Sequence, residues 1–257
     1  MAGVRSEQYG TVRVLTLDDP ATLNAMTPAM LGGLAAAIAE ATSDPVVRCV
    51  LLTGAGRGFC SGQNLKGGDL FPEGVLDGVM KHYWPAFRAI RECPVPVVVA
   101  VNGVAAGGGC SLALAADMIV AARSASFLQV FSRIALVPDL GSTWLLPRLV
   151  GRQRALEMMM LNEPLSAERA RDWGIVREVF DDHALLDGAL ALAQRLAQGP
   201  TRALVATRRL VDEGEHATYE TQFRRELEVQ ADVRTSADAL EGRTAFVERR
   251  PPRFTGG

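Results

Sequence analysis

The chain contains four cysteines, Cys49, Cys60, Cys93 and Cys110, and no C-x-x-C pair. In 257 residues such isolated cysteines read as reduced thiols of a cytosolic protein, not as a disulfide frame. The three histidines, His82, His183 and His216, are too scattered to suggest a metal site. Charge of one sign is also missing. A formal net charge of −2 offers neither the basic surface of a nucleic-acid binder nor a solvating acidic tail. The first ten residues have no apolar signal core, and the most apolar stretch, Val95 to Val104, is too short to span a bilayer and contains Asn102 and Gly103. The expectation is a soluble, cytoplasmic protein without nucleic-acid or membrane partners and without a bound metal.

What is present is an ordinary globular balance, 48% apolar and 22% charged, in a chain long enough to bury a sizeable core. Thr11–Leu17, Val46–Thr53, Val95–Val101, Met118–Ala122 and Ile175–Phe180 read as strands. Thr27-Pro28 predicts a helix start, with Thr27 as the N-cap and Pro28 in the first position. A second helix is expected from about Val75 to Glu92, kinked at Pro85. The chain is helical and charge-rich from about Ala184 to Pro251-Pro252. Buried strands alternating with helices indicate an α/β class. Residues 1–195 read as the core that holds the active site, and 196–257 as a helical region for capping and oligomerisation.

Two glycine-rich segments stand out, Gly54 to Gly68 and Gly107-Gly108-Gly109. The second follows a buried strand and opens a helix, so the unpaired N–H groups of that helix face whatever occupies the loop. A tight strand-to-helix connection explains a glycine triplet equally well. No G-x-x-x-x-G-K-[ST] phosphate loop occurs, the spacing is wrong for G-x-G-x-x-G, and no G-x-S-x-G elbow is present.

Leu52-Thr-Gly-Ala-Gly-Arg-Gly-Phe-Cys-Ser-Gly-Gln-Asn-Leu65 and Ala100-Val-Asn-Gly-Val-Ala-Ala-Gly-Gly-Gly-Cys110 resemble the two signature segments of the crotonase (enoyl-CoA hydratase/isomerase) superfamily. Asp117, Phe127, Pro138, Gly141-Ser142-Thr143 and the segment from Glu241 to Gly256 fall at matching positions, so the resemblance covers nearly the whole chain. It implies a crotonase spiral of ββα units with a helical C-terminal region, assembled as a homotrimer or dimer of trimers. It also implies an acyl-CoA thioester as substrate, with no cofactor. The thioester oxygen would be held by the backbone N–H groups of Gln63 and Gly108, because removing a proton α or γ to a thioester builds charge there. By the same resemblance, Ala21, Thr22, Leu23, Ser61, Asn64 and Leu65 would border CoA, and Lys66 would meet a phosphate. The aromatics Trp84, Phe131 and Trp144 suit an apolar acyl pocket, and aromatics at helical spacing suit plain core as well.

The reaction is narrowed by a departure from the family pattern. Hydratases carry two glutamates that handle water, and the matching positions here are Ser111 and Phe131. The sequence instead has Pro138-Asp139, where isomerases of the family, including those of phenylacetate degradation, carry an aspartate. The resemblance therefore implies a Δ3,Δ2-enoyl-CoA isomerase with Asp139 as acid/base, in fatty-acid or phenylacetate catabolism. The alternatives are a hydratase (a lyase) with non-standard water chemistry and an acyl-CoA-binding subunit without catalysis. Asp139 also stands where a helix N-cap would. Ser111 reads as a small first-turn residue, and no base is placed to make it a nucleophile.

Overall fold

A computed structural model describes residues 3–65 and 71–257. Lys66, expected at a CoA phosphate, lies outside the described residues. After a hairpin of β1 (Gly3–Tyr9) and β2 (Val12–Asp18), the chain gives strands alternately to two sheets. β3 (Cys49–Gly54) leads to β4 (Gly58–Cys60), β5 (Val97–Val101) to β6 (Val104–Ala106), and β7 (Met118–Ala122) to β8 (Ser126–Leu128). β9 (Leu165–Ser166) and β10 (Glu178–Phe180) then complete a four-stranded sheet, β4-β6-β8-β9, and a six-stranded sheet, β1-β2-β3-β5-β7-β10. Each pair of strands is followed by helical chain, which makes the α/β spiral of ββα turns expected from the sequence.

The large sheet is parallel from β2 through β10, and its central strands are covered on both faces. All five residues of β5 are buried, which is why these strands read as continuous apolar runs. α1 (Pro28–Ser43) packs on β1 and β2. Its start is as predicted: the Thr27 hydroxyl accepts the Met30 N–H at 3.1 Å, with Pro28 leading the first turn. α2 (Val75–His82) and α3 (Trp84–Arg91) replace the single kinked helix. Pro85 has no N–H to continue the ladder, and the break falls just before it, at Tyr83.

α4 (Gly108–Leu114), α5 (Ser142–Leu161) and α6 (Ala167–Asp172) follow, and α7 (Leu185–Ala197) lies against β2, β3, β5 and β7. α8 (Thr201–Gly214), α9 (Tyr219–Val233) and α10 (Ala237–Glu248) form the C-terminal helices. The expected strand Ile175–Phe180 shortens to β10, because the N–H groups of Ile175 and Val176 are taken by the Ala170 carbonyl as α6 ends. Among the described residues no helix is long and apolar enough to cross a membrane.

One buried side chain joins the hairpin end to the first glycine segment. Asn24 has no exposed surface and a φ of 57°. Its amide nitrogen lies 3.0, 2.8 and 3.2 Å from the carbonyls of Ala55, Gly58 and Phe59, while its oxygen accepts the Asp19 N–H at 2.8 Å. Asn24→Ala would strand these groups away from water and is expected to cost about 3 kcal/mol, read as a lower midpoint in urea unfolding. An unchanged midpoint would show that water replaces the amide.

Candidate active site

Among the described residues, two backbone amides have no acceptor where the glycine segments meet. The Met26 N–H donates to the Gly62 carbonyl at 2.7 Å, and the Met26 carbonyl accepts the Asn64 N–H at 3.0 Å. This parallel bridge pairs Met26 with Gln63 by using the peptide groups on either side of Gln63, so the N–H of Gln63 itself points away from Met26. The Tyr83 hydroxyl, buried at the junction of α2 and α3, also donates to the Met26 carbonyl, at 3.3 Å. Burial, followed by the nearby Cys60 and Asp139, pushes the phenol up to about 12, so it stays a donor.

The second amide comes from the glycine run. Gly107 adopts φ 51°, ψ −124°, a backbone region open to glycine, while its N–H is anchored on the Leu128 carbonyl at 2.9 Å. The turn delivers Gly108 as the first residue of α4, where an N–H has no partner within the helix. A Cβ built on Gly62 would lie 3.4 Å from the Gly108 nitrogen, so the two segments adjoin. Among the described residues neither the Gln63 nor the Gly108 N–H has an acceptor. Both residues line a narrow cleft of about 100 Å³, with Met26, Ser61, Leu65, Phe131, Asp139 and Leu140 also on its walls.

Asp139 is the single carboxylate among the cleft's described lining residues. Its side chain reaches the surface beside the apolar side chains of Phe131, Leu136 and Leu140. Partial burial raises its carboxyl above the ordinary aspartate value, against a smaller lowering by its own backbone N–H. The carboxylate does not cap α5. That helix begins at Ser142 with Gly141 in the cap position and no side-chain cap, and it is the Asp139 carbonyl that accepts the Ser142 N–H at 3.1 Å.

The structure brings most of the sequence-selected residues together. Ala21 and Thr22 belong to a short 3-10 turn that runs into Leu23, and this segment lies alongside the first glycine segment. The Ser61 hydroxyl donates to the Thr22 carbonyl at 2.8 Å, and the Ser61 N–H to the Leu23 carbonyl at 3.0 Å. Leu65 is 64% exposed at the mouth of the cleft. Phe131 is on the wall. Trp84 and Trp144 are not: Trp84 is 42% exposed outside the cleft. Trp144 lies on the α8 side of α5, with the Arg148 guanidinium 4.1 Å from its ring centre and His216 at 6.0 Å.

Met26, Tyr83 and Leu140 were not legible as site residues. Aromatic or apolar identity does not say which face of an element turns toward the cleft. The flanking thiols are inert in character. Cys60 and Cys110 are fully buried, and burial pushes each up to about 12, which leaves no thiolate to attack. Larger cavities of about 570 and 610 Å³ lie among the C-terminal helices.

A spiral of ββα turns around a cleft whose described walls hold two amides without an acceptor and one carboxylate defines an enzyme of the crotonase class. The chain belongs to the enoyl-CoA hydratase/isomerase family, which matches residues 7–257. It is 44% identical to the 1,2-epoxyphenylacetyl-CoA isomerase of Escherichia coli, over 95% of each chain. It is also 44% identical to a protein of Rhodobacter capsulatus named as a probable enoyl-CoA hydratase, over 98% of each. The crystal structure of an enoyl-CoA hydratase from a Polaromonas species superposes with a TM-score of 0.92 at 32% identity, covering 98% of this chain and 99% of that one.

Proposed function

We propose that the protein catalyses a 1,3-proton shift on an enoyl-CoA thioester, with Asp139 as acid and base and the Gln63 and Gly108 amides as oxyanion donors. The observation that carries this reading is Asp139, the single carboxylate among the cleft's described lining residues. Adding water across a double bond needs one group to take the water's proton while another supplies a proton to carbon. A proton shift needs one carboxylate acting twice.

The steps balance without a cofactor. The Asp139 carboxylate removes a proton from C2 of a 3-enoyl thioester, and the electron pair spreads through the double bond to the thioester oxygen. The two amides hold the resulting dienolate. The Asp139 carboxylic acid then returns the proton at C4, the double bond lies between C2 and C3, and the carboxylate is restored. Partial burial suits Asp139 to both halves, because a raised carboxyl binds the proton long enough to carry it.

Several finer features are part of the same proposal. The 1,2-epoxyphenylacetyl-CoA isomerase relative supports a ring-bearing acyl group and a place in phenylacetate catabolism. Ala21, Thr22, Leu23, Ser61, Asn64 and Leu65 form the proposed CoA edge. Apolar side chains exposed on the C-terminal helices, among them Tyr219 at 85% and Phe246 at 85%, support assembly as a homotrimer or dimer of trimers. The four free, buried cysteines support a cytoplasmic location.

Hydration is the second reading. It is favoured by the hydratase name among similar relatives and by the surface position of Asp139, where a water could reach the carboxylate. Initial rates with 3-hexenoyl-CoA and crotonyl-CoA separate the two. Isomerisation is expected to exceed hydration by about 100-fold, the scale of one acid/base group. Equal or faster hydration would transfer the assignment to hydratase, and binding without turnover of either ester would favour a binding subunit.

A further inference from the structure

We propose that Ser111 and Ser142 are positioning residues that jointly seat Asp139 by holding its backbone carbonyl. This inference rests on the reading of Asp139 as the acid/base. Both serines are completely buried, and they reach one carbonyl from two directions. Ser142, in the first turn of α5, places its hydroxyl 3.0 Å and its N–H 3.1 Å from the Asp139 oxygen. Ser111, in the first turn of α4 and 28 residues away in sequence, places its hydroxyl 3.2 Å from the same oxygen. The Ser111 hydroxyl also lies 3.3 Å from the Gly107 carbonyl. The single Ser111 hydroxyl proton is therefore shared between the two carbonyls, with the Asp139 oxygen slightly the nearer.

The chain just after Asp139 shows why a seat is needed. Leu140 has a φ of 52° and Gly141 of 83°. A leucine in the left-handed region costs about 1 kcal/mol, so the turn would relax if nothing held it. The turn also carries Leu140 against the amide side of the cleft, since a Cβ on Gly108 would come within 2.9 Å of a Leu140 methyl. Ser111 therefore ties the helix that presents the Gly108 amide to the residue that presents the carboxylate. The serine that stands where a hydratase would carry a glutamate thus fixes the distance between oxyanion donor and base.

The test compares Ser111→Ala, Ser142→Ala, the double variant and Ser111→Thr with Asp139→Asn, using 3-hexenoyl-CoA turnover from pH 4 to 9 and thermal melting as a fold control. Each single alanine is expected to lower kcat about 10-fold and the double about 100-fold, with KM within about twofold, because misplacing a reacting group by about 1 Å has that scale of effect. Ser111→Thr, which keeps the hydroxyl, is expected to restore most of kcat. The acid limb of the kcat profile should also move to lower pH in the alanine variants, because a released carboxylate is better solvated and loses the burial that raises it. A merely structural serine would lower the melting temperature and leave that limb in place. If Asp139→Asn is inactive while the folded alanine variants keep wild-type kcat and the wild-type limb, the seat is refuted and the role of Asp139 stands. If Asp139→Asn is itself active, the underlying reading fails. Should Ser111→Ala melt below the assay temperature, Ser142→Ala alone decides by the same two readouts.

Discussion

Asp139→Asn is expected to lower isomerisation of a 3-enoyl-CoA by about 1000-fold, within the range for loss of an acid/base group, while affinity for the CoA ester stays within about threefold. Asparagine keeps the size and most of the polarity of the side chain, so the cleft and the adjoining amides are preserved. It cannot take a proton from C2. Single-turnover rates and binding of a saturated acyl-CoA separate the two effects. The pH dependence gives an independent check. Asp139 must be ionised to begin the cycle, and partial burial raises its carboxyl above the ordinary aspartate value. The wild-type acid limb should therefore lie above that value, and activity should fall as pH drops through it.

Stability moves the other way with pH. A raised carboxyl means that the folded state binds the proton more tightly than the unfolded chain. Ionisation therefore favours the unfolded chain as pH rises from the unfolded value through the folded one. Asp139→Asn removes that penalty. Against the wild type, the variant should gain stability across this window and keep the gain above it. Below the unfolded value the difference should vanish. A dead enzyme that is slightly more stable at neutral pH is what a residue kept for chemistry predicts. A variant less stable at every pH would instead mark Asp139 as structural.

Much of this arrangement could be read from local sequence because its causes are local. The Thr27-Pro28 pair marks a helix start through one hydroxyl and one missing N–H, and the buried run of β5 marks a covered strand. The glycine segments are legible because no other residue fits Gly107 at φ 51°, ψ −124° without strain. The small second sheet was not legible, since β4, β6 and β8 have three residues each, too few for a period to register. β1 was missed for another reason. Arg5 to Tyr9 are all exposed, so it lacks the alternation of a half-buried strand. Ser111 and Ser142 carry no signal at all as a pair, because what joins them is a shared carbonyl on a third residue. Trp144 shows the converse. Its ring looked suited to an acyl pocket, but position on α5 turns it toward Arg148 and His216.

Gly62→Ala is expected to reduce kcat by about 100- to 1000-fold, the order of loss when one oxyanion donor is removed. Gly62 has a φ of 90°, and an added Cβ would lie 2.7 Å from the Ala106 carbonyl oxygen. That atom is backbone in β6 and cannot rotate away. The peptide carrying the Gln63 N–H must then shift relative to Gly108, whose nitrogen is 3.4 Å from the same Cβ. Gly108→Ala makes the control. Its Cβ would meet the Met26 methyl at 2.2 Å and a Leu140 methyl at 2.9 Å; both are side-chain ends that can rotate, and alanine is favoured over glycine within a helix. A loss of about tenfold or less is therefore expected there. Because charge on the thioester oxygen builds only during proton transfer, Gly62→Ala should leave binding of a saturated acyl-CoA nearly intact while turnover collapses. Equal losses in binding and turnover would mean that Gly62 shapes the site for the ground state, and a wild-type kcat would remove the amide pair from the mechanism.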